Sequence, residues 1–411
     1  MLNLTLVFCN RGLMLLDKLK EKQRRLVNKV KSINYERHEL EFIKSNEKLI
    51  ALIGSRGVGK TTVLLQYALL FDIDELLYFS ADDIGIAKTG LYEIAEEFSS
   101  LGGKVIVIDE IHQFKDWAKH IKNIYDDFDL KIRIGGSSML KILMQGYDLS
   151  RRILIKELRN LSFKEFFEIN ENISLKLYSL DEIIENHNDI SFDLINRYPN
   201  LYREWKRYLE MGCYPYFLSS ATKENFYSKL FNSIEKIIYE DIPATNKVKY
   251  DSLVVFKKLI YILISSRVPF QVNVSNLAKE LSISEPSLYI YMDILNKTGL
   301  FKSIKKYSKK LSRKPAKLYF DNTNLLHAIA FDMSTVVEIG TVRETYFVNI
   351  FKDIYYSDIG DFRIKDYIFE VGGKNKDFQQ IKNIKNSFLA IDTDTTINKR
   401  KIPLWLFGFK Y

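Results

Sequence analysis

Residues 54–61 read Gly-Ser-Arg-Gly-Val-Gly-Lys-Thr, and the apolar run Leu49–Ile53 leads straight into them. Glycines at 54, 57 and 59 let a backbone turn tightly and present its N–H groups to an anion. The apolar run has the length of a buried parallel strand, and residues 61–71 have helical spacing. A strand, a glycine loop and a helix in that order aim the helix N-terminus at the same anion. Apolar runs recur at 76–80, 105–108, 132–134 and 153–155, with a helical stretch over 86–99. Strands alternating with helices of this length predict a parallel α/β sheet.

The loop is a complete phosphate-binding motif. Its predicted nucleotide-binding set is Gly54, Ser55, Arg56, Gly57, Val58, Gly59, Lys60, Thr61 and Thr62. Lys60 reaches the β- and γ-phosphates in such a loop, and the Thr61 hydroxyl ligates Mg2+. Residues 105–108 end in Asp109-Glu110, an acidic pair at the C-terminal end of an apolar strand. Asp109 is placed to hold the magnesium through water, and Glu110 to orient or deprotonate the attacking water.

The fourth strand is expected between the loop strand and the Asp-Glu strand. Ser137 and Ser138 at its end offer a hydroxyl to the γ-phosphate, or form a plain turn. Arg151 and Arg152 follow as candidate γ-phosphate sensors, in the same subunit or a neighbouring one; surface arginine is the alternative. An oligomer is compatible with that arrangement. Asp109-Glu110-Ile111-His112 also spells a helicase-type box, but no second ATPase lobe is visible downstream.

At 411 residues the chain suggests about two to four domains. Hydrophobic content of 46% with 27% charged residues fits globular domains and argues against disorder. The net charge of +9 is concentrated: residues 301–320 hold eight Lys/Arg and no acid. Such a run meets a phosphate backbone, or is a solvated loop. Cys9 and Cys213 are far apart, which excludes a disulfide framework and points to a reducing cytoplasm. His38, His112, His120, His187 and His327 are too scattered for a zinc site. Residues 1–9 are apolar but too short to span a bilayer, and Met14 is an alternative start.

The tracts IGSRGVGKTT, LLYFSADD, VIDEIHQFKDWAKHIKNIYD, GGSS, DLSRRILIKELRNLSFKEFF, GCYPYF and FEVGGKNK occur in that order. In this the chain resembles prokaryotic AAA-type ATPases that carry a C-terminal restriction-nuclease-like domain of unknown function. The resemblance implies a multidomain α/β protein. It has a lead-in over 1–34, an additional-strand P-loop ATPase core over 35–160 and a helical region over 161–250. A winged helix over 251–335 and a nuclease-like α+β fold over 336–411 complete it. It favours ATP over GTP, and no guanine-reading Asn-Lys-x-Asp tract follows the core. One departure stands out. The family has Thr-Gly-Ser-Ser at the sensor strand, where this chain has Gly135-Gly136-Ser137-Ser138.

Residues 274–281 and 285–295 have the lengths of a helix-turn-helix. Ser284 caps the second helix, Pro286 lies in its first turn, and Leu288, Tyr291, Ile294 and Leu295 form its buried stripe. Residues 301–320 would then be a basic wing, making 273–320 a candidate surface for duplex DNA; a protein-binding spacer is the alternative. Asp361, Glu370 and Lys374, with Glu344 as a further ligand, are the candidate restriction-type metal site. The usual Glu-x-Lys spacing is broken there, because Val371 and Gly372 follow Glu370. Three functions follow: an ATPase coupled to DNA, a signalling NTPase with a protein partner, or an ATP-dependent nuclease.

Overall fold

A computed structural model describes residues 2–136, 149, 151–245, 250–266, 270–308 and 315–411. The chain divides into two compact units, Met1–Arg159 and Asn160–Tyr411.

The first unit is built on five parallel strands: β1 (Leu49–Ile53), β2 (Leu76–Ser80), β3 (Val105–Asp109), β4 (Lys131–Gly136) and β5 (Ile153–Glu157). Their order across the sheet is β2-β3-β4-β1-β5. β4 thus separates the loop strand from the Asp-Glu strand, as expected. Every residue of β1 and β3 is buried, which is why both read as unbroken apolar runs and not as alternating ones. Helices Lys60–Ala68, Leu91–Ser100 and Trp117–Asp127 connect the strands. Residues 86–99, expected as one helix, are two, Ile84–Thr89 and Leu91–Ser100, broken at Gly90. The Asp83 side chain caps the first of them by accepting from the Gly85 N–H.

An edge strand exposes unpaired backbone groups unless something covers them. At β2 that cover is the first helix, Leu2–Val30. The buried Gln23 amide donates to the Leu76 carbonyl at 3.0 Å and accepts from the Tyr78 N–H at 2.8 Å. One side chain here replaces one residue of a missing neighbour strand.

In the second unit, eight strands form one sheet in the order β13-β12-β11-β10-β9-β7-β8-β6. They are β6 (Phe270–Gln271), β7 (Phe301–Lys306), β8 (Pro315–Phe320), β9 (Tyr355–Tyr356), β10 (Phe362–Ile364), β11 (Tyr367–Gly373), β12 (Ser387–Asp392) and β13 (Lys401–Pro403). β7 pairs with β9 through Lys305–Tyr355 and Lys306–Tyr356, so the sheet runs across residue 335. Helix Glu285–Lys297 begins at a Ser284 cap and buries Leu288, Met292, Ile294 and Leu295. Tyr291 of the expected stripe is half-buried, its hydroxyl donating to Ser252 Oγ at 2.8 Å.

By sequence alone the apolar run near 404–409 reads as a last strand; in the structure it is a 3-10 helix with all six residues buried. A short continuous apolar run has no periodicity that separates strand from helix. Among the described residues no helix is long and apolar enough to cross a membrane.

Candidate functional site

The loop after β1 turns through left-handed backbone at Gly57 (φ 86°) and Gly59 (φ 101°), where a side chain would be strained. Gly59 is also the N-cap of helix Lys60–Ala68, so the loop opens directly onto a helix N-terminus. Lys60 is buried, and its Nζ donates to the Gly54 carbonyl at 2.9 Å and the Ser55 carbonyl at 2.8 Å. Those bonds fold the lysine across the loop in which phosphates would lie.

Thr61, one residue on, donates its hydroxyl to Asp109 Oδ2 at 2.6 Å. The sheet order brings these two residues together across 48 positions of sequence. Asp109 is buried at the end of β3, and its Oδ1 accepts the Glu110 N–H at 2.9 Å. Burial, and then the Glu110 charge, raises its pKa above the ordinary carboxylate value. The Thr61 and Glu110 hydrogen bonds and the Lys60 charge oppose that rise. A carboxylate and a hydroxyl beside a phosphate loop are hard oxygen donors, the type that suits Mg2+ held jointly with substrate phosphates.

Two features here were not visible in the sequence. Tyr78 of β2 donates its hydroxyl to Asp109 Oδ2 at 3.1 Å. A tyrosine inside an apolar strand carries no signal that separates this role from core packing. Glu110 takes left-handed backbone (φ 47°, ψ 36°), a conformation that is costly for a residue with a Cβ and that clusters at functional sites. The turn carries the Glu110 side chain off the strand, with its Oε2 3.5 Å from the buried His112 Nε2.

The other candidates lie elsewhere. Arg152 forms a two-pronged contact with Asp126, Nε to Oδ1 at 3.0 Å and Nη2 to Oδ2 at 3.2 Å. Arg151 is exposed. Ser137 and Ser138 lie outside the described residues.

In the second unit, Glu344, Asp361 and Glu370 are drawn toward one region. Glu344 Oε2 accepts from the Tyr319 hydroxyl at 2.6 Å and lies 3.4 Å from Lys317 Nζ. Asp361 Oδ2 accepts the Val371 N–H at 2.8 Å. Burial raises the Glu344 pKa and the Asp361 charge raises it further, and burial raises Asp361 as well. The lysine at Glu370 is Lys376, not Lys374. Lys376 Nζ lies 2.6 Å from Glu370 Oε1 as an ion pair. Lys374 is exposed.

The reason is local. A Cβ on Gly372 would meet the Lys376 Cγ at 2.8 Å and Cβ at 2.9 Å. The stem of Lys376 fills the space that a lysine at 372 would use. Among the described residues, no group of three or more His, Cys, Asp or Glu could hold a metal ion. Each carboxylate of this cluster has its own internal partner.

Breaking a buried ion pair strands its charge at a cost of about 3–5 kcal/mol. Lys376 is a third exposed, so solvent screens part of that. Lys376→Met is expected to destabilise the protein by about 2 kcal/mol in denaturant unfolding, and Lys374→Met by less than about 0.5 kcal/mol. Equal effects would contradict the pairing.

Two segments of the chain match known family models. Residues 46–167 match the family model of an AAA domain, and residues 202–335 match that of a domain of unknown function. The uncharacterized protein MJ1637 of Methanocaldococcus jannaschii is 31% identical over 318 residues, 72% of this chain. The match spans 66% of that relative, just under two thirds of its length. The uncharacterized protein MJ1544 of the same organism is 22% identical, covering 87% of this chain and 78% of the relative.

Among solved structures, AMPPCP-bound DnaA from Aquifex aeolicus aligns at 15% identity with a TM-score of 0.26, covering 63% of this chain and 84% of DnaA. A DNA replication initiation factor aligns at 16% identity with a TM-score of 0.27, covering 76% of this chain and 89% of that one. Likeness at that level supports no statement about activity. The family match and the sheet order stand without it. The matched segment opens just before β1 and extends past β5, and within it lie the phosphate loop and the acidic pair; in sequence it is similar to AAA domains.

Proposed function

We propose that the first unit binds ATP with Mg2+ and hydrolyses it to ADP and phosphate. The observation that carries this reading is the 2.6 Å contact between Thr61 and Asp109 at the mouth of the phosphate loop, with Glu110 next in the chain. Loop N–H groups and the helix N-terminus hold the phosphates, and Lys60 swings from the loop carbonyls to the β- and γ-phosphate oxygens. Thr61 would hold magnesium by its hydroxyl and Asp109 through water, and the metal when bound would supply charge neutralisation at the phosphate oxygens. Glu110, turned off the strand by its left-handed backbone, orients the attacking water and accepts its proton. The AAA-type family and the lack of a guanine-reading tract favour ATP.

The load on this ATPase is proposed to be duplex DNA, met by residues 273–320 through its phosphates. The charge supports a limited version of that surface. Lys302 turns inward to the Val348 and Phe351 carbonyls, Lys317 pairs with Glu344, and Lys306 pairs with Asp358. The exposed side of helix Glu285–Lys297 carries Glu285 and Asp293, and Lys297 is paired with Asp293 at 2.8 Å. That face is poorly suited to reading bases. Lys279, Lys305, Lys309, Lys310, Arg313 and Lys314 remain as candidate phosphate contacts, the last four outside the described residues.

Phosphate release is expected to require Mg2+ and to rise with duplex DNA at low salt. With at most those six contacts, log affinity should fall against log salt with a slope no steeper than about −5.4. Turnover indifferent to DNA would remove the DNA reading and favour a protein partner; no turnover with Mg2+ would remove the ATPase reading itself. The Glu344, Asp361 and Glu370 cluster is proposed as a nuclease-like fold without cleavage, since its carboxylates are engaged internally.

A further inference from the structure

From the geometry around Asp109 we infer that Tyr78 is a positioning residue for the magnesium site, doing from β2 what a hydroxyl on the sensor strand β4 cannot do in this chain. The inference rests on the assignment of Asp109 to magnesium. Three described donors reach the Asp109 carboxylate: the Thr61 hydroxyl, the Tyr78 hydroxyl and the Glu110 N–H. Thr61 is the donor assigned to the metal. Once its hydroxyl is engaged there, Tyr78 is the side chain among the described residues that still holds Oδ2.

The opposite side of Asp109 leaves no room for a substitute. A Cβ at Gly135 of β4 would lie 2.5 Å from Asp109 Oδ1 and 2.6 Å from Leu64 Cδ1. No β4 side chain fits at that position without moving the carboxylate. The hydroxyl therefore arrives across the sheet from the other neighbour of β3. β2 and β3 are parallel, with Tyr78 in register with Val107, so a tyrosine has the reach to meet the strand end two residues on.

The position of Tyr78 is itself held. Its N–H donates to Gln23 Oε1 at 2.8 Å, the same amide that pairs with Leu76, so the edge of the sheet is pinned at this residue. The ring is buried, and its hydroxyl pKa is raised by burial and then by Asp109, which keeps it a donor. The hydroxyl thus orients one lone pair of the carboxylate and leaves Oδ1 toward the backbone.

The test is Tyr78→Phe, which keeps the ring and deletes the donor. A hydrogen bond to a charged group is worth about a tenfold change in an equilibrium constant. Mn2+ binding, read by electron paramagnetic resonance in the presence of a non-hydrolysable ATP analogue, is expected to weaken about tenfold. Analogue binding in EDTA should match the parent. As a second variant, Gly135→Ala crowds the same carboxylate from β4 and is expected to weaken Mn2+ in the same direction. Unchanged Mn2+ affinity in Tyr78→Phe overturns the inference, as does an equal loss of metal-free analogue binding, which would mark a general structural role. If the parent retains no Mn2+ with the analogue, the assignment of Asp109 falls first.

Discussion

Glu110→Gln is expected to bind ATP as the parent does and to release phosphate about 10²- to 10³-fold more slowly. Glutamine keeps the size and the hydrogen-bonding reach of glutamate but cannot accept the proton of an attacking water. The backbone at 110 is left-handed by virtue of the turn into residues 111–113, and the substitution leaves that turn intact. Binding is held by the loop and by Lys60, neither of which the change touches. The effect should therefore appear in turnover and not in affinity, the pattern of a group that acts only in the transition state. Single-turnover phosphate release beside equilibrium nucleotide binding separates the two. Parent-like turnover would refute the role given to Glu110.

Lys60→Ala is expected to weaken ATP binding about 100-fold. The ammonium has two loop carbonyls as partners, at 2.9 and 2.8 Å, and exchanges them for phosphate oxygens. Hydrogen bonds to charged groups are worth about 1.5–3 kcal/mol each, so the loss of two, less the carbonyl bonds given up, comes to about 3 kcal/mol. The nucleotide-free protein should also lose stability, because the Gly54 and Ser55 carbonyls lose a buried donor. Titration with a fluorescent ATP analogue in EDTA measures the first effect, free of any contribution from magnesium. Affinity within twofold of the parent would show that the lysine does not reach the phosphates.

The core was readable because its chemistry fixes both residue type and spacing. A phosphate loop needs glycines where backbone N–H groups meet an anion, and strands buried on both faces must be apolar throughout; both demands leave marks in a single sequence. The second unit left weaker marks. Residues 404–409 read as a strand and are a 3-10 helix, since six buried residues in a row carry no period. Lys374 was the nearer lysine in sequence to Glu370, but the turn after β11 exposes it and folds Lys376 back over Gly372. Half of the basic run could be placed: Lys302 and Lys317 serve internal contacts, which charge counting cannot reveal.

The sequence by itself determined the phosphate loop, the acidic pair and the parallel sheet that joins them, because those requirements act on neighbouring residues. The tertiary structure decided everything that depends on distant residues meeting. It placed Thr61 on Asp109, and it brought Tyr78 across from the edge strand under the hold of Gln23. It turned Glu110 through left-handed backbone and put Gly135 where no side chain fits. A hydrogen bond of 2.6–3.1 Å depends on strand order and register, and neither is written in local composition.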